Sequence, residues 1–145
     1  MSRKLTITAD IESDHTLALK AKVDVDGFSG YGEAWFNSSE VRKFITQIRD
    51  FNDTMENPPH LQGGHWDGDG NITDLLLSLR FYALSDYRSG LHIHLSDFPS
   101  PYATEEEVSK VTVGMKPNKH EISKFCDDME LLLSNTQTEA HLTSK

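Results

Sequence analysis

The chain has 145 residues, one cysteine and a formal net charge of −9, with 37% hydrophobic and 26% charged residues. These values describe a single water-soluble globular domain. They set aside a disulfide scaffold, and they disfavour direct binding to nucleic acid or an anionic membrane, whose phosphates repel an acidic chain.

No stretch approaches the roughly 18 apolar residues of a membrane span. Thr6, Thr8 and Asp10 break up the N-terminal segment too early for a secretory signal. The lone Cys126 accords with a reducing compartment, so the expected location is the cytoplasm.

Leu5, Ile7 and Ala9 alternate with polar residues, the period of a half-buried strand. Leu17, Leu19, Ala21, Val23 and Val25 repeat that period more clearly, and Asp26-Gly27 follows as a two-residue hairpin turn. The return strand runs from Phe28 to Phe36. One of its faces holds Phe28, Gly30, Gly32, Ala34 and Phe36; the other holds Ser29, Tyr31, Glu33 and Trp35. Gly30 and Gly32 predict a bulge or a close approach by another element.

Asn37 and Glu40 have capping-box spacing, and Val41, Phe44, Ile45, Ile48 and Phe51 form one apolar stripe, predicting a helix from about Ser39 to Asn52. A polar loop ends at Pro58-Pro59. A weak strand at His60 to Trp66, a turn at Asp67 to Asn71, and alternating strands around Leu75 to Phe81, Leu91 to Leu95 and Val111 to Met115 follow. Asn118 with Glu121 caps a second helix, to about Ser134, with Ile122, Phe125, Cys126, Met129, Leu132 and Leu133 as its stripe.

Glu40-Val41-Arg42-Lys43-Phe44 and Glu121-Ile122-Ser123-Lys124-Phe125 share one pattern at corresponding helix starts. The expected architecture is therefore α+β: an antiparallel β-sheet with two helices, from a pseudo-duplicated β-β-β-α unit. Residues 1–134 form one domain. The polar, aperiodic residues 135–145 are expected to be a disordered tail.

Catalytic motifs do not stand out. Asp67-Gly68-Asp69-Gly70-Asn71 echoes a calcium loop, but the first position would be His65 and the twelfth Leu76, so a hairpin turn fits better. His92 and His94 share a strand face, and His60 and His65 precede the turn, which leaves a metal- or small-ligand-binding domain, or an enzyme using this cluster, as an alternative. Cys126 falls in the apolar stripe and reads as a core residue. The better candidates for function are aromatics beside carboxylates, a composition suited to protein binding. Tyr31, Glu33 and Trp35 lead this set, with Asp24, Asp67 and Asp69 as a second group.

The order Gly27-Phe28-Ser29-Gly30, then Trp35-Phe36, Ser38, Glu40-Val41 and Phe44, then a Leu-rich strand and a Pro-preceded helix, resembles small acidic immunity proteins of bacterial polymorphic and contact-dependent toxin systems. The resemblance spans roughly Asp26 to Leu133. It implies no enzymatic activity and no cofactor. It implies a basic protein toxin, often a nuclease, as partner, neutralised by direct binding. A homodimer joined through an open sheet face is a separate alternative.

Overall fold

The computed structural model describes residues 2–145. Eight strands and two helices follow in the order β1 (Arg3–Ile11), β2 (Thr16–Val25), β3 (Phe28–Asn37), α1 (Ser38–Thr54), β4 (His60–Trp66), β5 (Ile72–Ser85), β6 (Arg88–Asp97), β7 (Ser109–Met115), α2 (Lys119–Leu133) and β8 (Ala140–Ser144). The fold is α+β, and its strands divide into two antiparallel four-stranded sheets. The first has the order β3-β2-β1-β8 and the second β4-β5-β6-β7.

Local chemistry accounts for most boundaries. Asp26 (φ 48°) and Gly27 (φ 89°) are both left-handed, the turn that suits the twist of a tight hairpin. Each helix begins at an asparagine. The Glu40 carboxylate accepts the Asn37 N–H at 3.1 Å, and Glu121 accepts the Asn118 N–H at 2.9 Å. Asn118 Oδ1 accepts the Glu121 N–H in return, so donors otherwise orphaned at the helix start are satisfied.

The repeat is larger than the sequence pattern indicates. It has five elements: β1-β2-β3-α1-β4, then β5-β6-β7-α2-β8. Three strands of each unit form a meander, and the fourth strand leaves for the other sheet. β4 pairs with β5, the first strand of the second unit, and β8 pairs with β1, the first strand of the first unit. The two units thus exchange their last strands. Residues 140–144 are therefore β8, which corrects the expected tail disorder. Ala140 and Leu142 are buried, and the register runs from Arg3↔Ser144 to Ile7↔Ala140.

The sheets meet where β3 crosses the second one. Gly30 lies against Val111 of β7. A Cβ on Gly32 would sit 2.8 Å from the Leu76 carbonyl oxygen and 3.0 Å from Leu95 Cβ, while one on Gly63 of β4 would sit 2.7 Å from Phe36 Cζ. The glycines allow a close crossing, not a bulge: the β2–β3 ladder is unbroken from Thr16↔Asn37 to Val25↔Phe28. The helices close the other side and pack on each other. Phe44 and Phe125 occupy corresponding places and are both buried. Phe81 sits between Phe44 and Phe51, with ring centroids 6.2 and 6.4 Å away. Arg49 of α1 reaches Asp127 (2.8 Å) and Glu130 (3.1 Å) of α2, a bidentate clamp across the helix pair.

Two outcomes test this packing. Phe44→Ala and Phe125→Ala should each cost about 3–5 kcal/mol in denaturant unfolding, the usual cost of emptying an aromatic core site. Deleting residues 140–145 should cost about 2–4 kcal/mol, because Leu142 loses its burial and Leu5 and Ile7 lose a neighbour. A deletion without cost would return this segment to a dispensable tail.

Candidate functional site

Strand alternation sorts the residues of the first sheet. Leu5, Ile7, Leu19, Val23, Ala34 and Phe36 point into the core, and the opposite face carries Lys4, Asp10, Lys20, Lys22, Asp24, Ser29, Tyr31, Glu33 and Trp35. Four of the expected site residues, Asp24, Tyr31, Glu33 and Trp35, therefore share one outward face. Tyr31 is 51% and Trp35 55% exposed, unusual for side chains of that size. Ala18, outward-facing and directly across from Trp35, is only 1% exposed, so larger neighbours lie over it. Cross-strand distance makes Trp35 the first of them.

Charges on this face are partly spent. Lys20 pairs with Asp10 at 2.7 Å, which holds its ammonium above the ordinary value. Glu33, directly opposite Lys20, instead accepts the Tyr31 hydroxyl at 2.9 Å. Partial burial and that bond raise the Tyr31 phenol above its ordinary value. Among the described residues Glu33 and Asp24 form no ion pair, so both carboxylates are open to a basic group from outside. Clefts of about 120 and 100 Å³ run beside Tyr31, where β3 meets the ends of β6 and β7 near Asp97 and Lys110. They are small beside the roughly 300–1,000 Å³ of ordinary ligand sites.

Asp67 and Asp69 lie elsewhere, in the β4–β5 turn. Asp67 Oδ1 accepts the N–H groups of Asp69 (2.8 Å) and Asn71 (2.9 Å). The Asn71 and Asp69 bonds hold its carboxyl below the ordinary value. Asp67 is thus occupied in closing the turn.

His60, His92 and His94 fall on the outer side of the second sheet, and His65 has the opposite parity on β4, that of Leu61 and Gly63. His60 Nε2 is 2.8 Å from Ser78 Oγ, and His94 Nδ1 is 3.3 Å from Thr112 Oγ1. His65 Nδ1 pairs with Asp74 at 2.8 Å, near the far end of β4. No group of three or more His, Cys, Asp or Glu among the described residues could hold a metal ion. Burial, first, and then Arg80 lower the His60 imidazole; burial, then Lys110, lower His94. Sequence alternation identified His92 and His94 as sharing a face. It missed Arg80 and Tyr82, which the register places among the histidines.

Cys126 is buried in the stripe of α2, and burial pushes its thiol up to about 12. Among the described residues no helix is long and apolar enough to cross a membrane. Comparison with protein-family models, curated proteins and solved structures found no match for this chain.

Cys126 should resist a thiol-reactive disulfide reagent at pH 8 in the folded chain and react once denaturant unfolds it. Reaction at the rate of an exposed thiol without denaturant would remove it from the core.

Proposed function

We propose that this chain is a binding protein that neutralises a basic protein toxin, in the manner of an immunity protein, through the outer face of its first sheet. The observation that carries this reading is the exposure of Tyr31 and Trp35 on either side of Glu33, on a strand held rigidly by its crossing over the second sheet.

Large aromatics supply most of the energy at protein interfaces when a partner covers them. A carboxylate between them selects a lysine or arginine from that partner and steers its approach. Glu33 suits this role because no cation among the described residues forms an ion pair with it, and Asp24 is a second such carboxylate on the face. The net charge of −9 adds long-range attraction for a basic surface. A rigid edge strand presents these side chains with little ordering cost. Neutralisation here is occlusion: the sheet face covers the groups with which the toxin meets its own substrate.

The test is co-expression with a basic toxin encoded beside this chain's gene, followed by affinity measurement on the purified pair. The chain should restore growth and form a complex. Trp35→Ala should weaken binding about 30-fold or more, equivalent to about 2 kcal/mol. Glu33→Lys should slow association, and added salt should narrow the difference from the unaltered chain. Absence of both rescue and complex overturns the proposal. Rescue that both substitutions leave untouched moves the interface away from β3.

A further inference from the structure

The exchange of strands makes the two outer faces equivalent position by position, yet their chemistry is opposite. In the first sheet Lys20 lies between two carboxylates, Asp10 at 2.7 Å and Glu33 directly opposite. The matching registers put His92 at the position of Lys20, Arg80 at that of Thr8, Tyr82 at that of Asp10 and Gly114 at that of Glu33. Both acids are replaced and a cation is added. His60 then stands across from Arg80 on its other side. A row of His60, Arg80 and His92 runs over three adjacent strands.

Between Tyr82 and Asp74 the outward positions of β4, β5, β6 and β7 carry no carboxylate, in a chain with a large acidic excess. Like charges on directly opposite positions destabilise a sheet. With its imidazoles protonated, this row would carry an electrostatic cost that no carboxylate of the face offsets.

The centre of the row is held in place. Arg80 Cζ lies 5.6 Å from the centroid of the Tyr82 ring, within the range of a cation–π contact. The Tyr82 ring lies against Gly90 on the neighbouring strand, where any side chain would collide with it. Among the described residues Arg80 forms no ion pair. A Cβ on Gly114, beside His92, would meet nothing within 4 Å, so the space next to the row is open.

We propose that His60, Arg80 and His92 form an oxyanion-binding site on the outer face of the second sheet, with Arg80 as the forked donor and the imidazoles as proton-coupled partners. The chemistry is that of a phosphoryl or carboxylate group, both of which a guanidinium fork matches. The charged and titratable groups of the face are His60 from β4; Arg80 and Tyr82 from β5; Arg88, His92 and His94 from β6; and Lys110 from β7, which Glu105 pairs. As pH falls the imidazoles take up protons and the site gains positive charge. Binding therefore tightens toward acid. This site is independent of the proposed toxin-binding face and is tested without any protein partner.

The experiment is a titration of the whole chain with sodium sulfate at constant ionic strength, following imidazole signals by NMR at pH 7.5 and 5.5. Sulfate remains a dianion throughout, so any pH dependence belongs to the protein. Saturable shifts at His60 and His92, not shared by His15 or His120, and at least tenfold tighter binding at pH 5.5 are expected. Arg80→Gln should weaken binding at least tenfold. Gly114→Glu, which restores the carboxylate that faces Lys20 in the other sheet, should do the same, while Lys20→Gln should have no effect. Circular dichroism checks each fold; if Gly114→Glu does not fold, Arg80→Gln decides. Parallel titrations with methyl phosphate and acetate assign the source, the tighter one naming a phosphoryl or a carboxylate ligand. Shifts that never saturate, that appear equally at all seven histidines, or that persist in Arg80→Gln overturn the site.

Discussion

How closely β3 can lie on the second sheet decides much of what this molecule presents to solvent. β3 passes over β7, β6, β5 and β4 in turn, and at three points on that path only a hydrogen fits where a side chain would stand. Packing at this distance leaves the strand no freedom to slide or rotate. One face of β3 is fixed against the core, and the other is fixed toward water. The exposure of Tyr31 and Trp35 is thus a consequence of Gly30, Gly32 and Gly63 as much as of their own positions. The price of the arrangement is two large aromatic rings left in solvent, which a partner's surface would repay.

Strand exchange explains why the halves behave as one body. Neither unit has a complete sheet of its own: β5 needs β4, and β1 needs β8. At the centre the helices meet through Arg49 and its two carboxylates, and Glu130 is the counterpart of Arg49 under the same offset that relates Asn37 to Asn118. Core positions keep their type between the units, as Phe44 and Phe125 or Val41 and Ile122 illustrate. Outward positions are free to differ, since exposed residues contribute little to packing. One face has kept cation and carboxylate in balance, and the other has concentrated cations.

Much of this was legible in the sequence. Period-two alternation from Leu17 to Val25, the Asp26-Gly27 turn and the two Asn/Glu capping pairs each rest on local backbone chemistry, and each element formed within two residues of its expected bounds. Gly30 and Gly32 marked a close approach without naming what approached. The division into two sheets was not legible, because hairpin signals report pairing between neighbours in sequence and not which hairpins share a ladder. β8 was missed for a related reason. Its inward positions hold only Ala140, Leu142 and Ser144, too weak a pattern to stand alone, and it becomes a strand because β1 offers a free edge from the far end of the chain. For the candidate sites, alternation placed Tyr31, Glu33 and Trp35 on one face but did not say which face the core would cover. The company of Arg80 with His60 and His92 depends on cross-strand register, and the extra residues Leu76 and Thr73, opposite Gly63/Gly64 and His65/Trp66, break the simple count along β5.

The central claim is that reciprocal strand exchange and the β3 crossing weld the two units into one cooperative structure. Native-state amide hydrogen exchange across a denaturant series tests it most directly. The central strands β1 and β2 of one sheet and β5 and β6 of the other should open with the same free energy and the same denaturant dependence, that of global unfolding. Two separate classes, with one sheet exchanging while the other stays protected, would contradict the account.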